Sequence, residues 1–194
     1  MRMVEKFRAT KIVFISSVAV YGNCQQIIDE NSPFDHPNVY GLSKIAGEFI
    51  VKAHKKFSII RLVNLYGRGM EQRSFIPTII NQALQKHIIT LRGNGRRKNE
   101  YLHVDDAARL CLTAAAIKEN DTYLGASGKS VSNLQIAKIV QRCVSCSIEF
   151  SGRELSHSLS FDPNATMKKI RWSPKIDLKT GLSDLIQFYE NSNI

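Results

Sequence analysis

Short apolar runs alternate along this chain with stretches whose apolar residues recur at helical spacing. Residues 11–16 (KIVFIS) form an apolar run that ends in small polar residues, and residues 58–63 (SIIRLV) repeat the pattern. Both read as strands buried in a parallel sheet. Between them, residues 29–39 carry Pro33 and Pro37 and read as a loop. Residues 40–55 place Ile45, Phe49, Ile50 and Ala53 at a helical period. Further helices are expected over residues 75–86, with Pro77 in the first turn, and over residues 104–118, with Asp105 and Asp106 as caps. Residues 132–146, opened by Ser132 as N-cap, 164–170 and 181–191 complete the helical set. Short strands are expected at 88–91, 122–126 and 148–150. No internal repeat interrupts the series. Strands alternating with helices predict an α/β architecture with a largely parallel sheet.

Composition narrows the class. Of 194 residues, 43% are hydrophobic and 23% charged, which excludes wholesale disorder. No apolar run approaches the roughly 18–20 residues of a membrane helix. The start, Met1-Arg2-Met3-Val4-Glu5-Lys6, is not followed by the apolar region of a signal peptide. The expectation is a cytoplasmic protein with no membrane partner.

The net charge of +10 admits nucleic acid, an acidic surface or small phosphorylated ligands. Its densest cluster, Arg92, Arg96, Arg97 and Lys98, is broken by Gly93 and Gly95 and lacks the interleaved aromatics of a single-strand binder. Two readings stay open for it, a solvated loop and a phosphate contact, and nucleic acid is not expected. Cys143 and Cys146 form a lone C-x-x-C at the end of a helical run, without the further ligands that zinc needs. The five histidines are scattered, and no metal site is expected.

Candidate chemistry lies between the first strand and the first helix. Tyr40 and Lys44 stand one helical turn apart on one face. The preceding strand ends at Ser16-Ser17, and ligands of open α/β sheets bind outside the carboxyl ends of their strands. A free tyrosine, with a pKa of about 10, is a poor base at neutral pH, and an adjacent ammonium favours its phenolate. A serine hydroxyl beside the pair can hold a substrate hydroxyl on the proton's path.

Ser16-Ser17-Val18-Ala19-Val20-Tyr21-Gly22 followed by Tyr40-Gly41-Leu42-Ser43-Lys44 resembles the extended short-chain dehydrogenase/reductases, the NAD-dependent nucleotide-sugar epimerases and dehydratases. Arg61-Leu62-Val63-Asn64-Leu65-Tyr66-Gly67 resembles the R-x-x-N-x-Y-G of that family. Gly93-Asn94-Gly95 with Glu100-Tyr101-Leu102-His103-Val104-Asp105-Asp106 is similar to its G-x-G and R-D-[FY]-[IV]-x-V-x-D segments. Asp162, Ile170-Arg171-Trp172-Ser173-Pro174 and Gly181-Leu182 resemble its closing pattern. These motifs occur in family order over nearly the whole chain.

The resemblance implies catalytic roles for Ser17, Tyr40 and Lys44, with Ser17 preferred to Ser16 because it lies four residues before Tyr21. It implies an NAD or NADP cofactor held by Tyr40, Lys44 and Val63. For the nucleotide-sugar substrate it implies contacts from Ser17, Asn64, Arg97, Asn99 and Arg153. Ser-Ser, where sugar 4,6-dehydratases typically show T-D-E, favours an epimerase or reductase.

The sequence departs from the family at several places. Asn99 stands where the family's phosphate-binding arginine is usual, Glu100 replaces the usual Asp, and Arg171 replaces a glycine at an expected helix end. No G-x-G-x-x-G occurs. The expected architecture is therefore a partial Rossmann-type parallel sheet, its N-terminal strands missing, plus a small α/β substrate-binding lobe. Residues 1–67 would be the rear of the NAD-binding domain and residues 68–194 mainly the nucleotide-sugar lobe. A homodimer and a complementary N-terminal fragment are the protein partners this reading admits. A catalytically inactive sugar-nucleotide binder, or one subunit of a split enzyme, is the alternative function.

Overall fold

The computed structural model describes residues 11–24 and 27–191. The N-terminal residues read above for a leader lie outside that range. Three parallel strands, in the order β1 (Ile12–Ser17), β2 (Phe57–Leu62), β7 (Asp121–Gly125), form the main sheet. Their register sets Ser17 opposite Leu62 and Leu62 opposite Gly125, so the three carboxyl ends finish level. β2, flanked on both sides, is almost wholly buried. β1 is expected to be buried and is only half so, because among the described residues it has a ladder on one side alone.

A 3-10 turn (Val18–Tyr21) leads from β1 through a long loop to helix α1 (Val39–Lys52). Asn38 caps α1, its side chain accepting from the Gly41 N–H at 2.9 Å. Two glycines let the helix lie close to β1. A Cβ on Gly41 would stand 2.3 Å from the Ala19 carbonyl oxygen, and one on Gly47 would stand 2.4 Å from the Phe14 ring. The helix turns a different face inward from the one its apolar residues suggest. Gly41, Glu48 and Val51 are buried, while Phe49 and Ile50 are 68% and 53% exposed.

After β2 come β3 (Asn64–Tyr66), α2 (Phe75–Lys86), β4 (Ile88–Arg92), β5 (Lys98–Asn99) and β6 (Tyr101–His103). Then follow α3 (Val104–Ala116), β7, β8 (Val131–Ser132), α4 (Asn133–Cys143), β9 (Ser147–Ser151), α5 (Asn164–Ile170) and α6 (Leu178–Asn191). β3 pairs parallel with β6, β4 parallel with β9, and β5 antiparallel with β8.

Two hydrophobic cores result. One gathers Val20, Tyr21, Ile60, Leu110, Tyr123, Leu124 and Trp172 around the main sheet, with α3 packed on it. The other gathers Ile76, Ile80, Leu91, Ile136, Val140, Leu182 and Ile186 from α2, β4, α4 and α6.

The aspartates expected to cap α3 do not do so. His103 is its N-cap, Nδ1 accepting from the Asp105 N–H at 3.2 Å. Asp106, fully buried, instead accepts the backbone N–H groups of Lys175 and Ile176 and pairs with Arg109. Ser132 does cap α4, in a reciprocal box with Gln135, and that helix ends at Cys143 rather than running on to residue 146. No helix among the described residues is long and apolar enough to cross a membrane.

Candidate active site

β1 and α1 bring Ser17, Tyr40 and Lys44 into one neighbourhood. Ser17 is the last residue of β1, half-buried, and its Oγ accepts the Ala19 N–H at 3.1 Å, opening the 3-10 turn. Ser16 faces the other way. It is buried, and its hydroxyl donates to Glu48 Oε1 at 2.6 Å. Of the two serines, only Ser17 keeps its hydroxyl proton clear of that buried network. The seat of Gly41 on Ala19 brings the first turn of α1 against the same strand end. Tyr40 is 54% exposed there. Lys44 spends one ammonium proton on the Ile15 carbonyl at 3.0 Å and holds Nζ 5.6 Å from the centroids of both the Tyr40 and Phe14 rings. The ammonium is thereby fixed beside the tyrosine one turn earlier.

Behind this face lies a buried polar cluster that the sequence reading missed. Arg61, 5% exposed, donates from Nη2 to Glu48 Oε2 at 2.7 Å and from Nε to Oε1 at 3.0 Å. Its Nη1 reaches the Tyr21 hydroxyl and the Glu30 carbonyl, each at 3.0 Å. Burial pushes the Tyr21 phenol up to about 12, although the neighbouring guanidinium works against this. An arginine inside an apolar strand is a sequence signal of a buried charge; its partner on another element leaves none.

The other expected residues lie elsewhere in the fold. Val63 is buried, its N–H bonded to the Gly125 carbonyl at 3.1 Å beneath the strand ends. Asn64 is exposed and donates from Nδ2 to the Glu100 carbonyl at 3.2 Å. Arg97 donates from Nε to the His157 carbonyl at 3.2 Å, which ties its segment to the one carrying the exposed Arg153. Asn99 is buried at its strand pairing with Val131.

Two clefts flank the turn after β7. One of about 340 Å3 has Tyr66, Tyr101, Ser127, Lys129 and Ile176 in its wall, and one of about 360 Å3 has Ser127, Lys129, Phe161 and Asp162. Ser17, Tyr40 and Lys44 line neither. No group of three or more His, Cys, Asp or Glu side chains is placed for a metal ion among the described residues.

The family model for NAD dependent epimerases/dehydratases matches residues 1–124. The chain belongs to that family. Among curated members, the putative UDP-glucose 4-epimerase of Methanocaldococcus jannaschii is 28% identical over 100% of this chain and 67% of its own length. The dTDP-glucose 4,6-dehydratase of Streptomyces griseus is 24% identical over 91% of this chain and 58% of its own length. The chain thus spans roughly three-fifths to two-thirds of these epimerase/dehydratase relatives. Among solved structures, MoeE5 in complex with UDP-glucose and NAD superposes with a TM-score of 0.87 at 19% identity, covering 100% of this chain and 69% of that one. At that identity the likeness shows a shared fold, and the partial Rossmann-type sheet is the part of it that β1, β2 and β7 form.

Proposed function

We propose that this chain carries the proton-transfer face and the sugar-nucleotide lobe of an NAD-dependent nucleotide-sugar epimerase or dehydratase. The observation that carries the reading is Lys44, held to the Ile15 carbonyl at 3.0 Å with Tyr40 one helical turn before it and Ser17 at the end of the same strand. Tyr40, exposed, takes the proton of a sugar hydroxyl and later returns it. Ser17 donates to the oxygen that loses the proton and keeps it facing Tyr40. Lys44 packs its ammonium over the Tyr40 ring, with Nζ 5.6 Å from the ring centroid, and so holds the phenol at the strand end.

The residues fit the nicotinamide end of the cofactor. Lys44 has ammonium protons beyond the one given to Ile15, suited to ribose hydroxyls, and Val63 lies buried beneath the strand ends as the apolar floor under that position. NAD, when bound, supplies the hydride acceptor for the sugar carbon. The fit does not extend to its pyrophosphate, for which this sequence holds no glycine-rich turn. The nucleotide end of the sugar substrate is assigned to Asn64, Arg97 and Arg153; Asn99, expected beside them, is buried in its strand pairing with Val131 and is not carried over as a contact.

Tyr40→Phe tests the assignment. In the reconstituted or full-length enzyme, turnover of UDP-glucose should fall by about 10²–10⁴-fold, the usual contribution of a positioned acid/base. Binding of UDP-glucose, read by calorimetry, should stay within about twofold, since one phenolic hydroxyl supplies little ground-state affinity. Turnover that survives in the variant removes Tyr40 from the role.

A further inference from the structure

Glu100 occupies the one residue between β5 and β6, where the chain changes partners. On one side Asn99 pairs antiparallel with Val131, and on the other Tyr101 pairs parallel with Asn64. Glu100 is 1% exposed, an expensive place for a carboxylate unless every acceptor position is used. They are used symmetrically. Oε1 accepts the Phe161 N–H at 3.0 Å and the Ser130 hydroxyl at 3.4 Å. Oε2 accepts the Gly128 N–H at 2.9 Å and the Ser127 hydroxyl at 3.3 Å. A backbone N–H can only donate, so each oxygen must accept. A glutamine amide, in either orientation, would turn its NH2 toward one of these N–H groups. The seat therefore demands a carboxyl group, not just its shape.

The same residue grips the candidate substrate site through its main chain. Its carbonyl accepts from Asn64 Nδ2, and because a carbonyl only accepts, this bond decides which end of the Asn64 amide points inward. One Nδ2 proton and Oδ1 remain for a ligand. The carboxylate pins the switch between strands, the pinned switch aims the carbonyl, and the carbonyl aims Asn64.

We propose that Glu100 is a positioning residue for sugar-nucleotide binding, acting on the ligand only through the orientation it imposes on Asn64. This rests on the reading of Asn64 as a contact to the nucleotide-sugar diphosphate.

The test is a double-mutant cycle on the whole chain, with UDP-glucose affinity read by calorimetry and the Asn64 side-chain amide read by ¹⁵N–¹H spectroscopy without ligand. Glu100→Gln and Asn64→Ala should each weaken UDP-glucose by about tenfold, and the double variant should be no weaker than either, as expected when two groups act as one. Glu100→Asp, which keeps the carboxylate, should stay within about threefold of the parent chain. The Asn64 amide resonances should move in Glu100→Gln and hold in Glu100→Asp. If Glu100→Gln does not fold, Ser127→Ala with Ser130→Ala removes two of the four donors and carries the same test. That pair should weaken UDP-glucose by about threefold when Asn64 is present and have no effect in Asn64→Ala.

Additive losses, an Asn64 amide that ignores Glu100→Gln, or a Glu100→Asp variant as weak as Glu100→Gln overturns the proposal alone. A parent chain that takes no UDP-glucose overturns the nucleotide-sugar reading, and this proposal falls with it.

Discussion

At Glu48 and Arg61 a buried ion pair decides which way a helix faces. Their bidentate contact, with Ser16 donating to the same carboxylate, ties α1 to β1 and β2 directly behind the candidate proton-transfer face. Replacing one partner leaves the other charged and dry. Arg61→Met should therefore cost about 3–5 kcal/mol, measured by urea unfolding at neutral pH. A loss below about 1 kcal/mol would mean that solvent reaches Glu48 in the variant and that the pair does not hold the helix. Apolar periodicity shows that residues 40–55 are helical but not which side is buried; the helix can bury only one side, and seating Glu48 on Arg61 turns Phe49 and Ile50 outward. The strand end at Ser17 and the helix that carries Tyr40 and Lys44 one turn apart were legible because both are local properties. Glu100 was legible only as an acid in a motif, since its donors at residues 127, 128, 130 and 161 are brought to it by tertiary structure.

Elements were read more surely than their ends. α2 and α5 begin and end where the pattern places them. Arg171 closes α5 in the left-handed conformation (φ 50), the strained helix end expected where the family usually has glycine. α6 begins at Leu178, three residues before the expected start at 181, because of a cap that hydrophobic periodicity does not record. Asp177 accepts the N–H groups of Lys179 and Thr180, at 3.0 and 3.1 Å, and the Thr180 hydroxyl at 2.6 Å. The Thr180 hydrogen bonds hold this carboxyl below its ordinary value of 3.8. The folded pKa is thus lower than the unfolded one. The cap's electrostatic contribution is complete above the unfolded value and is lost as pH falls through the folded one. Asp177→Ala should lower the unfolding midpoint at pH 7, by the equivalent of about 1 kcal/mol for a lost cap. The gap between parent and variant in thermal scans should narrow as pH falls below the ordinary carboxylate value of about 4. A gap that does not change with pH would assign the effect to helix propensity and not to the ionised cap.

On the proposed reading, the whole molecule divides its chemistry unequally between what NAD and a sugar nucleotide each require: Lys44 at the level ends of β1, β2 and β7 would serve a nicotinamide ribose, and Asn64, Arg97 and Arg153 would serve a diphosphate. Architecture of this kind was legible because alternating strands and helices leave few ways to pack. β1, half-buried and laddered on one side alone among the described residues, is the edge that the expected partial sheet leaves. The pyrophosphate of NAD needs a glycine-rich turn opening a helix, where backbone N–H groups and the helix dipole converge on the anion. In this sequence the G-x-G spacings are Gly67-Arg68-Gly69 and Gly93-Asn94-Gly95. The first precedes α2 by several residues and the second joins β4 to β5, so neither opens a helix at a strand end of the main sheet. The purified chain should therefore bind UDP-glucose measurably while NAD, titrated in the same calorimeter, shows no micromolar binding. Thermal scans should agree, because only a ligand that binds the folded state raises the midpoint. Micromolar NAD affinity for the chain by itself would mean that its pyrophosphate is held by side chains such as the arginines near β4, and the division of labour between the two lobes would have to be redrawn.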